Sequence, residues 1–168
     1  RAFAFHQPST LPLMTIDASL PSRLNRRVGQ AMHDYSMLAD GDRVLVAVSG
    51  GVDSLVLAWL LRFWQHKAPI RYTLKAVVVE NELWRRQPQV DEFIARICGQ
   101  LERIGIDHQV VRGWKLRADQ ETCYDCARNR RSQLFDLARQ QGWSKIAFGH
   151  HKDDLVETLF LNMIYSGN

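Results

Sequence analysis

The sequence predicts an α/β fold, a doubly wound parallel sheet with helices on both faces, preceded by a basic N-terminal helix. Three observations predict it. Short apolar runs alternate with segments of helical periodicity. The first run, Val44-Leu45-Val46-Ala47-Val48, leads through Gly50-Gly51 straight into a second apolar segment over 55–61. Finally, two polar clusters, at 49–54 and 149–154, each follow a predicted strand. In parallel sheets, ligands sit at the carboxyl ends of strands where connections diverge.

Each element has its own signal. Residues 1–21 read as an irregular lead carrying Pro8, Pro12 and Pro21, and 22–168 as the domain proper. A basic amphipathic helix is predicted over 22–35, where Leu24, Val28 and Met32 form one stripe. Asp40-Gly41-Asp42 turns the chain into a first strand over 43–49. A helix over 54–66 follows the glycine loop, then a strand over 72–80 with Ala76-Val77-Val78-Val79 buried. Phe93, Ile97 and Leu101 place a helix over 90–104, which Gly105 stops. A strand over 107–112, a helix over 126–141, a strand over 145–149 and a last helix over 154–165 complete the order.

Bulk properties bound the function. A chain of 168 residues with 46% hydrophobic content suits one domain with a proper core. No apolar run is long enough to span a bilayer, and residues 1–13 lack the apolar centre of a signal peptide. The expectation is a cytoplasmic protein without membrane contact, with Met14 a plausible native start. The net charge of +4 permits nucleic-acid binding without requiring it. Arg23, Arg26 and Arg27 form one basic group, and Arg128, Arg130 and Arg131 another. Either group also fits a solvated helix face. Three cysteines without a secretory signal argue against a disulfide framework.

Ser49-Gly50-Gly51-Val52-Asp53-Ser54 can hold a phosphate. Paired glycines let backbone N–H groups approach an anion, and the following helix adds unpaired N–H groups and its dipole. Ser49 and Ser54 offer hydroxyls, and Asp53 can cap the helix or hold a metal. The same composition also makes an ordinary turn. Cys123-Tyr124-Asp125-Cys126 is a Cys-x-x-Cys pair at a predicted loop-to-helix junction, suited to a metal ion, a cluster iron or a redox disulfide. The arginines nearby favour thiolate. Cys98, beside Ile97, reads as a small core residue. Gly149-His150-His151-Lys152-Asp153-Asp154 suits a metal site, a magnesium–nucleotide site or a polar helix cap completed by Glu157.

The loop resembles the SGGxDS pyrophosphate-binding loop of the PP-loop ATP pyrophosphatases. The order SGGVDS, CYDC, GHHKDD resembles one branch of them, the tRNA 2-thiocytidine synthetases. Arg23-Leu24-Asn25-Arg26-Arg27-Val28-Gly29, Cys126-Ala127-Arg128-Asn129-Arg130-Arg131 and Thr158-Leu159-Phe160-Leu161-Asn162-Met163 are similar to further segments of that branch.

The resemblance implies ATP on residues 49–54, with Gly149, His150, Asp153 and Asp154 on the same ligand. It implies magnesium at Asp53 and Asp154, and a [4Fe-4S] cluster on Cys123, Cys126 and a third cysteine downstream of the last helix. That third ligand has no match up to Asn168, so the chain reads as lacking the family's C-terminal part. The activity implied is adenylation of the C2 oxygen of an anticodon-loop cytidine, then its replacement by sulfur, with Asp53, Cys123 and Cys126 in catalytic roles. The partners implied are tRNA, held by the two arginine groups, and a sulfur donor such as a cysteine desulfurase or sulfide; a homodimer is left open. Val52 stands where that branch has lysine, and Val79-Glu80-Asn81-Glu82 where it has Asn-Leu-Asp. Two alternatives remain. The tRNA-lysidine synthetases share the loop and the His-His-x-Asp-Asp turn but do not need the cysteine pair; the other is a non-catalytic nucleotide- or metal-binding module.

Overall fold

The computed structural model describes residues 19–115 and 123–150. The predicted last helix, the lead up to residue 18 and the positions His151, Asp153 and Asp154 lie outside the described residues. The element order is α1 (Ser22–Asp34), β1 (Arg43–Val48), α2 (Val52–Gln65), β2 (Thr73–Glu80), α3 (Glu82–Arg85), α4 (Val90–Arg103), β3 (Asp107–Arg112), α5 (Cys123–Gln141) and β4 (Lys145–Phe148).

The strands form one parallel sheet in the order β3-β2-β1-β4. β1 and β2 carry continuous apolar runs because both of their faces are covered. Successive side chains alternate between the faces. Val44, Val46, Val48, Ala76 and Val78 join Leu55, Ala58, Ile97 and Leu101 from α2 and α4. Leu45, Val77 and Val79 join Leu134 and Ala138 from α5. Burial of each such Val or Leu contributes about 1.5–3 kcal/mol. The alternation therefore fixes register, since a one-residue slip would exchange the faces.

α1 has no fully buried residue and sits against α2. Gly29 allows this approach, because a Cβ there would stand 2.8 Å from the Trp64 ring.

The elements differ from the sequence expectation by more than one residue in three places. α2 starts at Val52, two residues before the predicted 54, because extended Gly51 serves as its N-cap. α5 starts at Cys123 rather than 126, so the cysteine pair lies in the helix's first turn and not at its junction. α3 was not expected; it is a single turn whose first N–H groups are served by Asn81, the Trp84 N–H donating to Asn81 Oδ1 at 2.9 Å. A four-residue turn is too short to show periodicity.

Topology then places the site. From β1 the chain steps through β2 to β3 on one side, and returns to put β4 on the other side of β1. The divergence opens a crevice at the carboxyl ends of β1 and β4.

Candidate functional site

The loop after β1 is held from several sides. Gly50 has φ +81°, a left-handed conformation, and a Cβ there would stand 2.6 Å from both Phe93 Cζ and Ile97 Cδ1. Only glycine fits. Ser54 is 4% exposed. Its hydroxyl donates to the Gly51 carbonyl at 2.8 Å and accepts from the Ser49 N–H at 3.2 Å. Ser49 Oγ adds a longer contact to it at 3.4 Å. Ser54 thus braces the loop at the first turn of α2, where helix geometry gives the N–H groups no partner within the helix. Asp53 is exposed in that first turn, and Val52 is exposed beside it.

The end of β4 meets this loop directly. A Cβ on Gly149 would stand 2.7 Å from both the backbone N and the Cα of Ser54. Gly149, the first residue of the second polar cluster, is therefore in backbone contact with the loop of the first, about a hundred residues away in sequence. His150 follows; its exposed ring stacks on Phe148 with centroids 5.8 Å apart and planes 11° apart.

Between the loop, β4 and α5 lies a cavity of about 100 Å³. Ser49, Ser54, Gly149 and His150 line one side, and Ala127, Arg130 and Arg131 line the α5 side. Val77, Val79 and Leu134 contribute apolar lining. A smaller chamber lies beside it, with Cys126, Asn129, Arg130 and Gln133 of α5 facing Asn81, Gly113 and Trp114.

Gln133 organises that chamber. Its Nε2 donates to the Arg112 carbonyl at 2.7 Å, and its Oε1 accepts from the Trp114 N–H at 3.0 Å. Asn129 Nδ2 donates to the Trp114 carbonyl at 3.1 Å. One α5 face thereby clamps the exit of β3. Sequence reasoning passed over Asn129, Gln133 and Trp114. Two amides at i, i+4 within a core-facing helix were the available signal.

The arginines separate by position. Arg23, Arg26 and Arg27 are exposed on α1, and Arg128 and Arg131 are exposed on α5. Arg130 is half-buried and faces both chambers. Burial draws its guanidinium below the ordinary arginine range; Cys126 nearby acts in the opposite direction, and Arg131 pushes it further down.

Cys123 and Cys126 stand at i, i+3 at the start of α5. Cys98 is on α4, which packs on the other face of the sheet. It is a half-buried thiol that burial pushes up, with Glu102 adding to the shift. Among the described residues no group of three or more His, Cys, Asp or Glu is arranged to hold a metal ion. No described helix is long and apolar enough to cross a membrane.

A parallel doubly wound sheet with a glycine loop at its switch point defines a phosphate-binding α/β domain. The chain belongs to the PP-loop domain family, whose profile matches residues 20–167. It is 40% identical over 155 residues to the tRNA-cytidine(32) 2-sulfurtransferase of Serratia proteamaculans, covering 88% of this chain and 48% of that protein. The enzyme of the same name from Escherichia fergusonii matches at the same identity and coverage. The chain thus spans about half the length of the curated relatives it matches. Among solved structures, it is similar to the U34-tRNA thiolase NcsA from Methanococcus maripaludis, solved with its [4Fe-4S] cluster. That match has a TM-score of 0.70 at 23% identity, over 87% of this chain and 50% of that one, and it supports the fold.

Proposed function

We propose that residues 22–168 are the ATP-binding domain of a tRNA sulfurtransferase that replaces the C2 oxygen of a cytidine by sulfur. One observation carries the reading: the phosphate loop and the Cys126 chamber open side by side at one sheet edge and share Arg130. That arrangement suits a reaction in which nucleotide chemistry and sulfur chemistry meet at one atom.

The fit of ATP rests on the loop. The helix N-terminus that starts α2, a glycine at 50 that nothing else replaces, and close approach of Gly149 suit a cradle for the pyrophosphate. Asp53, with Asp154 beyond the described residues, is the proposed magnesium ligand. The cytidine C2 oxygen attacks the α-phosphorus, the bond to the bridging oxygen breaks, and pyrophosphate leaves. A sulfur nucleophile then adds at C2 and AMP departs with the former C2 oxygen. Activation is needed because a carbonyl oxygen is a poor leaving group and AMP a good one. The positive end of α2 and the two α5 arginines that line the cavity, Arg130 and Arg131, stabilise negative charge on the phosphates.

For a cluster, the residues fit in part. Cys123 and Cys126 supply two thiolates from one helix turn, and Cys98 lies across the sheet. When bound, the cluster would supply an iron on which sulfur can be held. The exposed arginines of α1 and Arg128 are the proposed tRNA contacts. Cysteine chemistry beside the loop supports thiolation over the lysidine reaction, which needs no thiol.

Turnover of ATP to AMP and pyrophosphate with substrate tRNA tests the reading. Asp53→Ala is expected to abolish it, and unchanged turnover would remove the loop from the reaction. Anaerobically purified protein is expected to contain iron and sulfide; a protein holding zinc or no metal would contradict the cluster assignment.

A further inference from the structure

Arg130 occupies a place that its neighbours in sequence do not. Arg128 and Arg131 are exposed, whereas Arg130 is half-buried. Arg130 and Val79 are the two residues common to the linings of the phosphate cavity and the Cys126 chamber, and only Arg130 carries charge. None of the ion pairs found among the described residues includes it. Arg131, the next residue, adds repulsion to the cost of its burial, while Cys126 acts in the opposite direction. Glu82 lines the smaller chamber with it but pairs with Arg85, at 3.5 Å. A guanidinium partly withdrawn from water is stabilised by an anion that reaches it. The cavity it faces is lined on its other side by a loop built to hold phosphate.

We infer that Arg130 is a nucleotide ligand, binding the phosphate that stays with AMP, and is not an RNA contact. The inference rests on the ATP reading above and deepens it. The loop and the start of α2 hold the pyrophosphate half of the nucleotide. α5 forms the opposite wall, so its cation meets the phosphate that the loop does not hold. Arginine suits the place because its planar fork of five N–H donors serves two partners at once. One edge can take a phosphate oxygen while the other stays near Cys126, one helical turn earlier. The same group would then steady AMP as it leaves and mark the side from which sulfur arrives.

Calorimetric titration of the whole chain with AMP and, separately, with pyrophosphate tests this. Arg130→Met is expected to weaken AMP binding about 10- to 100-fold, the cost of losing a charged hydrogen bond. Pyrophosphate affinity should stay within about twofold of wild type, which also shows that the variant is folded. Arg130→Lys should recover part of the AMP affinity, because it keeps the charge but not the fork. The salt dependence of tRNA binding should not change in either variant. Unaltered AMP affinity in Arg130→Met would overturn the inference. So would a lower salt slope for tRNA with AMP binding intact, which would make Arg130 an RNA contact after all. Wild-type protein that binds neither AMP nor pyrophosphate would instead defeat the nucleotide reading itself, and the inference with it.

Discussion

The two ends of the sheet are built from similar polar residues and do different things. At the amino end of β1 and β4, the partners close on one another. Asp42 accepts the Ala39 N–H at 2.7 Å, the Ser144 hydroxyl at 3.0 Å and Lys145 Nζ at 3.1 Å. Ser144 Oγ also accepts the Arg43 N–H at 2.9 Å, and Arg43 lies 4.7 Å over the Trp143 ring. Asp40 accepts the Arg71 N–H at 2.7 Å. At the carboxyl end, the loop braces itself through Ser54, and Ser49 and Ser54 line a cavity that a half-buried arginine faces from α5. Polar groups that satisfy each other hold a fold together. Donors and cations gathered around empty volume call for a ligand.

Substitutions at the two ends should therefore separate binding from stability. The largest effect is expected from Gly149→Ala. Its methyl group would overlap the Ser54 backbone and displace the loop, and nucleotide affinity should fall about 100-fold or more by calorimetry. Retained affinity would show that the contact between the two clusters is dispensable. Cys123→Ser comes next: thiolation should fall at least about tenfold while nucleotide affinity stays intact, measured by mass spectrometry of digested tRNA. Persistent thiolation would remove the cysteine pair from the chemistry.

The amino end should answer in the opposite sense. Ser144→Ala should cost about 1 kcal/mol in denaturant unfolding with no change in nucleotide affinity. An effect on affinity would mean that the two ends are coupled. Asp42 gives that end a pH signature. Its carboxyl lies below the usual carboxylate range, chiefly through the Ala39 N–H, against burial, with Lys145 and Ser144 assisting. A depressed folded pKa contributes stability above the unfolded value of about 3.9, and that contribution is lost as pH falls through the folded value. Asp42→Asn should flatten this part of the acid-unfolding curve; an identical curve would remove Asp42 from it. The smallest effect is expected from Arg26→Ala on exposed α1, which should reduce the salt slope of tRNA binding by about one contact. An unchanged slope would make the α1 arginines a solvated face.

Much of this arrangement was legible in the residues. Alternating apolar runs with glycine turns specify a parallel sheet, because β1 and β2 are apolar on both faces. The loop was legible because a phosphate cradle needs glycine where its backbone turns left-handed, as at Gly50. Pairing of β1 with β4 was not, since strand order depends on which helices cover which face. The start of α5 was misplaced by one turn because Cys, Tyr and Asp carry weak helix preference. The inward position of Arg130 was hidden in a run of arginines that reads as a surface face. Only the packing of α5 on the sheet separates it from Arg128 and Arg131.

In the proposed reaction the crevice transfers AMP onto a base oxygen before sulfur replaces it. The direct measurement uses tRNA carrying ¹⁸O at the C2 oxygen of the target cytidine, with ATP and a sulfur source. One ¹⁸O atom is expected in each AMP released, with an equal amount of thiolated cytidine. Thiolated product accompanied by unlabelled AMP, or by ADP and phosphate, would contradict that reaction.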